Sequence, residues 1–188
     1  MKKGLLFFFL AIPLLSFSQT YHSWDGKGIS PKSKMHVLNI FVNVIYDEHR
    51  DTNNVAGSTF WPRVTDTLQE GVNVPGTIPS NLLDFMDTMY VPGQLRGTIT
   101  RIFGESSFDS LQIAGDFIVV NVREKRVVNT YHQFKFSNIA KAAVDVINDK
   151  GFHTIYGHDD ISYYDYLNNG EFYFTQVIIR NISNDYGG

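Results

Sequence analysis

The stretch Val37–Tyr46, VLNIFVNVIY, decides the fold. Alternate residues of a pleated strand point to opposite faces. Leu38, Ile40, Val42, Val44 and Tyr46 therefore share one face, wholly apolar, while Asn39, Phe41, Asn43 and Ile45 share the other, nearly so. A strand apolar on both faces is covered on both sides, as in the interior of an α/β sheet.

Further along, the chain supplies partners for that strand. Leu111–Val122, with Ile118, Val119 and Val120 at its centre, reads as a second strand, followed by a charged turn over Arg123–Arg126 and a return strand over Val127–Tyr131. The clearest helix starts with Ser137 as N-cap, carries Ile139, Ala140, Ala143, Val144 and Ile147 on one stripe, and ends at Lys150 and Gly151. A short helix is expected around Trp61–Glu70, and a longer one from Ser80 through Leu82, Leu83, Phe85, Met86 and Met89 to a stop at Pro92 and Gly93. Thr98–Phe108 leans towards helix, because Ile99, Ile102, Phe103 and Ser106 fall on one face. After a polar loop over Gly157–Gly170, Glu171–Ile182 forms a last apolar strand. This order of elements predicts an α/β domain, a mixed sheet with packed helices.

Before Val37 the pattern is different. Lys2 and Lys3 precede an apolar run over Gly4–Phe17, and Ser16 and Ser18 are small residues before a cleavage at Gln19. These are the three regions of a secretory signal peptide, and the run is too short to span a bilayer comfortably. Residues 1–18 are thus expected to be removed, 19–34 to form a flexible leader, and 35–188 to fold as one domain, secreted or periplasmic and free of the membrane. A chain of that size buries roughly 70% of its unfolded surface. The sequence contains no Cys, so an exported chain must be held by packing or bound ions rather than disulfides. Net charge is -3 with both signs interspersed, which argues against nucleic acid as a partner.

Three stretches together carry a family resemblance: the opening strand VLNIFVNVIYDE, the segment IFGESSFDSLQIAGD (Ile102–Asp116), and YYDYLNNGEFYFTQVIIRN (Tyr163–Asn181). In order and spacing they resemble the region upstream of the zinc site in M6 (immune inhibitor A-like) metallopeptidases. The middle stretch is similar to the family's aromatic-Glu-x-Ser-aromatic-Gly-x-Leu pattern, with Asp109 where Gly is usual. The resemblance implies the N-terminal subdomain of a zincin-like peptidase. Zinc, and calcium in loops of the Asp-Gly-Asp kind, are what the resemblance implies for the full-length parent, whose substrate would be protein or peptide. The partner it implies is the missing C-terminal half of the peptidase domain, which would bring His-Glu-x-x-His. That spacing places two imidazoles one helical turn apart on zinc, with Glu to activate water. None of His22, His36, His49, His132, His153 and His158 forms this motif. No catalytic residue is therefore assigned, and the chain is expected to be inactive alone. The alternative is a complete exported scaffold that binds a partner by strand addition.

The remaining candidates are ligand-like clusters. His153 and His158, with Asp159 and Asp160, stand five apart with Gly157 between, off the helical metal spacing, and read better as solvated loop side chains. Asp165, Asn169 and Glu171 fall in an oxygen-rich loop, but Leu167 occupies a ligand position, so an Asn-Gly hairpin turn is preferred to calcium. Asp47, Glu48 and His49 follow the carboxyl end of a buried strand, where ligand groups commonly sit. Ser106 and Ser107 lack a nucleophile elbow and are expected to turn the chain into the next strand.

Overall fold

In the computed structural model, residues 33–47, 60–62, 65, 67–127, 136–166, 168, 170, 172 and 174–180 are described. Four strands, β1 (Ser33–Ile45), β2 (Gly71–Val72), β3 (Leu111–Arg123) and β4 (Thr175–Arg180), form one sheet in the order β2-β3-β1-β4. β1 runs parallel to β3 on one side and β4 on the other, and β2 is antiparallel to β3. The doubly apolar stretch is thus the interior strand its pattern demands. It begins at Ser33, so Ser33 and Lys34 belong to the sheet rather than to the leader. The signal-peptide and leader residues 1–32 lie outside the described residues.

The helices α1 (Leu82–Phe85), α2 (Thr98–Ser106), α3 (Glu124–Val127) and α4 (Phe136–Lys150) connect these strands. One sheet face, with Leu38, Ile40, Val42, Val44, Ile118, Val120 and Val122, packs on Ile139, Ala142, Ala143, Val146 and Ile147 of α4. On the other face Phe41 meets Trp61, Phe85 and Phe117 at ring-centroid distances of 5.0, 5.9 and 6.2 Å. The parallel register sets Asn43 beside Asn121, and Asn43 Nδ2 donates to Asn121 Oδ1 at 2.9 Å. Asn121 Nδ2 in turn donates to the Gln69 carbonyl at 3.2 Å, so both amide NH2 groups have partners inside the sheet core.

Several expectations are corrected. The described residues of Trp61–Glu70 are not helical: the carbonyls of Trp61, Leu68 and Gln69 accept instead from the Arg180, Arg123 and Asn121 side chains. The Ser80 helix shrinks to the four residues of α1, because Asn81 before it sits at φ 58 and Met86 after it is extended. Ser80 Oγ reaches the Phe60 carbonyl instead of capping. In α2 the helix is as expected but the buried face is Thr100 and Gly104, with Ile102 and Phe103 exposed. The turn after β3 is helical, as α3. Val127 belongs to that helix and the rest of the proposed return strand lies outside the described residues.

α4 starts at Phe136, so Ser137 lies in its first turn and does not cap it. The inward stripe is Ile139, Ala142, Ala143, Val146 and Ile147, leaving Val144 48% exposed. Gly151 at φ 103 ends the helix as predicted. The last strand starts at Thr175 and pairs in parallel with β1, so the turn before it does not form a hairpin. No helix among the described residues is long and apolar enough to cross a membrane.

Candidate functional site

The charge that a buried sheet tolerates least is Asp116, in the middle of β3 and 0% exposed. A carboxylate there must be fully hydrogen-bonded. It accepts from the backbone N–H of Phe117 at 2.6 Å, Tyr156 at 3.1 Å and His158 at 3.3 Å, and from His158 Nδ1 at 2.8 Å. Asp116 thereby pins the loop that follows α4 to the sheet. Because a carboxylate only accepts, Nδ1 of His158 carries the proton, and Nε2 is the nitrogen left for chemistry.

A second histidine is held in the same manner. His36, on β1, donates from Nδ1 to the Tyr163 carbonyl at 2.8 Å. The Tyr163 ring stacks on both imidazoles, at centroid distances of 3.8 Å to His36 and 4.3 Å to His158. Tyr163 is itself fixed by donating its hydroxyl to the Thr88 carbonyl at 2.9 Å. Burial and the nearby Asp116 charge push its phenol up to about 12, so it acts as a neutral plate. Burial lowers the His36 pKa; the hydrogen bond to Tyr163 opposes this, and the charges of His158 and Lys34 add to the lowering.

These groups line a cleft of about 230 Å³ with Lys34, Met89, Tyr90, Gln112 and Ala114. It lies at the amino ends of β1 and β3, away from the carboxyl ends where α/β sheets commonly hold ligands. Among the described residues, no Ser, Thr, Asp or Glu lines it. The arrangement can bind and orient a ligand and move a proton at His158 Nε2.

No protein-family profile, characterised protein or solved structure matches the chain.

The residues singled out from sequence separate. His153 Nδ1 lies 3.2 Å from Asp159, whose other oxygen accepts from Thr154 N at 2.7 Å, while His158 turns inward to Asp116. The two histidines thus serve different carboxylates, and no group of three metal-ligating side chains occurs among the described residues. Asp160 accepts from Ser162 N and caps the short turn Ile161–Tyr163. Asp165 accepts from Gly170 N at 2.6 Å, closing its loop, whereas Asn169 and Glu171 lie outside the described residues. Asp47 pairs with Arg123 at 2.7 Å, and Glu48 and His49 lie outside the described residues. Ser107 Oγ accepts from Leu111 N at 2.9 Å, the turning role expected of it.

Asp116, His36 and Tyr163 were not singled out from sequence as a site. One signal for Asp116 was present: a lone carboxylate within IAGDFIVV, where an apolar strand leaves no room for an unpartnered charge. Nothing in the sequence signals that His36 and His158 share a tyrosine, since 122 positions separate them along the numbering of the chain.

Proposed function

We propose that this chain is the amino-terminal portion of an exported zinc metallopeptidase of the M6 type, forming one wall of its active-site cleft and lacking the zinc motif. The observation that carries this reading is spatial. The three stretches that resemble the family lie far apart in sequence, yet they supply β1, the first half of β3 with the turn before it, and β4, which are neighbours in the sheet. Asp109 adds support: it stands where the family pattern has Gly, and its backbone lies at φ 58, in the left-handed region that Gly favours. The departure in residue type leaves the turn that the pattern requires.

In this reading zinc and catalysis come from a His-Glu-x-x-His helix encoded further on, and the chain alone neither binds zinc tightly nor hydrolyses protein. The deciding experiment reads the natural coding sequence past Gly188 and expresses the longer product. One zinc per chain and chelator-sensitive casein hydrolysis are expected. A stop codon directly after Gly188 would overturn the proposal.

A second reading, an exported non-enzymatic scaffold, is favoured by β4. Among the described residues this strand is the last of the sheet, its side chains are half-exposed or exposed, and it carries Val177, Ile178 and Ile179. An edge of this kind can accept an added strand.

A further inference from the structure

We infer that the His36–Tyr163–His158 cleft binds a small uncharged polyol, one sugar ring in size. The imidazoles fix the kind of ligand. Each already donates from Nδ1, His36 to the Tyr163 carbonyl at 2.8 Å and His158 to the Asp116 carboxylate at 2.8 Å. Each Nε2 therefore presents a lone pair, which an O–H or N–H donor of the ligand must satisfy. Burial disfavours the charged form of His36 and so keeps its lone pair open. The other polar groups of the cleft ask for the opposite partner. Lys34 brings an ammonium that only donates, and the Gln112 amide, whose nitrogen gives one hydrogen to the Asp109 carbonyl at 3.3 Å, has its second hydrogen to donate and its oxygen to accept. A carboxylate cannot donate to the imidazoles, and an ammonium cannot accept from Lys34 and is repelled by it. A hydroxyl does both, so a molecule carrying several of them can meet every one of these groups.

The spacing of the two imidazoles separates this reading from a shared metal ion. Their centroids lie 3.8 and 4.3 Å from that of Tyr163, and their planes are tilted from it by only 5° and 19°, so they cover opposite faces of the tyrosine. The two Nε2 atoms thus stand on either side of that ring, beyond the reach of one ion whose bonds to nitrogen are about 2.0–2.1 Å long. Hydroxyls spread round a six-membered ring suit such a separation. The stack on Tyr163 also sets both imidazoles beforehand, which reduces the ordering cost of binding. Met89, Ala114 and the Tyr90 ring offer apolar surface to the C–H groups of the ligand. The volume of about 230 Å³ is below that of a drug-sized pocket, which limits the ligand to about one ring.

The test uses the whole chain with the methyl glycosides of glucose, galactose and mannose. Cyclohexanecarboxylate and cyclohexylammonium serve as rings of similar size that only accept or only donate. Binding is read by calorimetry and by the Cε1–H NMR signals of the histidines. At least one glycoside is expected to shift the His36 and His158 signals, and to bind at least about tenfold more tightly than either charged ring. His36→Phe keeps a ring against Tyr163 but removes the acceptor, and Lys34→Met removes the ammonium at an exposed position; each is expected to weaken that glycoside by about tenfold. Undiminished binding of the corresponding trisaccharide would identify the end of a glycan as the natural source, and binding of the single ring alone a free sugar. The inference is overturned if no glycoside moves either histidine signal at millimolar concentration, if a charged ring binds equally well, or if either variant binds the glycoside undiminished.

Discussion

Asp116 shows how one residue sets both structure and chemistry. Its carboxylate receives two N–H groups from the Tyr156–His158 loop and the imidazole of His158. Asp116→Asn keeps the volume but replaces one acceptor oxygen with a donor facing other donors. We expect a loss of about 3 kcal/mol in denaturant titrations, with the His158 NMR signal changed as well. His36 gives a pH dependence of known sign. Burial holds its folded pKa below the ordinary 6.5, with Tyr163 opposing and His158 and Lys34 reinforcing. The unfolded chain therefore binds more protons as pH falls below that value, so the stability His36 contributes is complete above it and declines on acidification. Between about pH 7 and about pH 5, His36→Gln is expected to flatten the fall in unfolding midpoint relative to the parent chain. An unchanged slope would remove His36 as its source.

At the scale of elements, the β1–β3 pair depends on a glycine. A Cβ on Gly115 would lie 2.1 Å from the Val37 carbonyl oxygen of the neighbouring strand and 2.8 Å from Met86 Sδ. Gly115→Ala is expected to cost at least about 3 kcal/mol, seen as a lowered thermal midpoint, because backbone on one side cannot move aside. In α4 the orientation can be tested by two substitutions of the same kind. Val146→Asp places an unpartnered charge at a position with 0% exposure and is expected to unfold the domain, whereas Val144→Asp, at 48% exposure, should shift stability by less than about 0.5 kcal/mol. Equal melts for the two would show the helix rotated. The helix has enough apolar residues for either orientation: Ile139, Ala143 and Ile147 serve both stripes, and completing them with Ala140 and Val144 or with Ala142 and Val146 gives the same spacing. Only the sheet against which it packs distinguishes them.

For the whole molecule, the strands form the frame and long-range polar contacts fix the connections. Arg126 grips both oxygens of Glu70, at 3.1 Å from Nε and 2.7 Å from Nη2, and also reaches Asp149 at 3.1 Å, joining α3 and α4 to the segment before β2. Desolvation would raise the Glu70 pKa, but the Arg126 contact and the Arg123 N–H outweigh it and hold the carboxyl below its usual value. Export gives the prediction at this scale. Amino-terminal sequencing of secreted protein is expected to begin at Gln19, after the small residues Ser16 and Ser18. Secreted material that still carries Leu5–Leu15 would contradict a cleaved signal peptide.

The sequence by itself determined the elements whose apolar pattern needs no distant information. β1, β3, the existence of α2 and α4, and the Gly151 stop follow from period, length and capping chemistry. The tertiary structure decided what depends on partners remote in the chain. The described residues of Trp61–Glu70 hand carbonyls to Arg123, Asn121 and Arg180 rather than to a helix, and Ser80 starts no long helix because Asn81 adopts a left-handed backbone. The candidate site belongs to the same class. His36, His158 and Tyr163 come from β1 and from the loop and turn after α4, and it is the parallel register of β1 and β3 together with the Asp116 clamp behind His158 that brings them to one cleft. Side-chain period reports on one face of one element, whereas a hydrogen bond across three elements depends on how the chain closes in space.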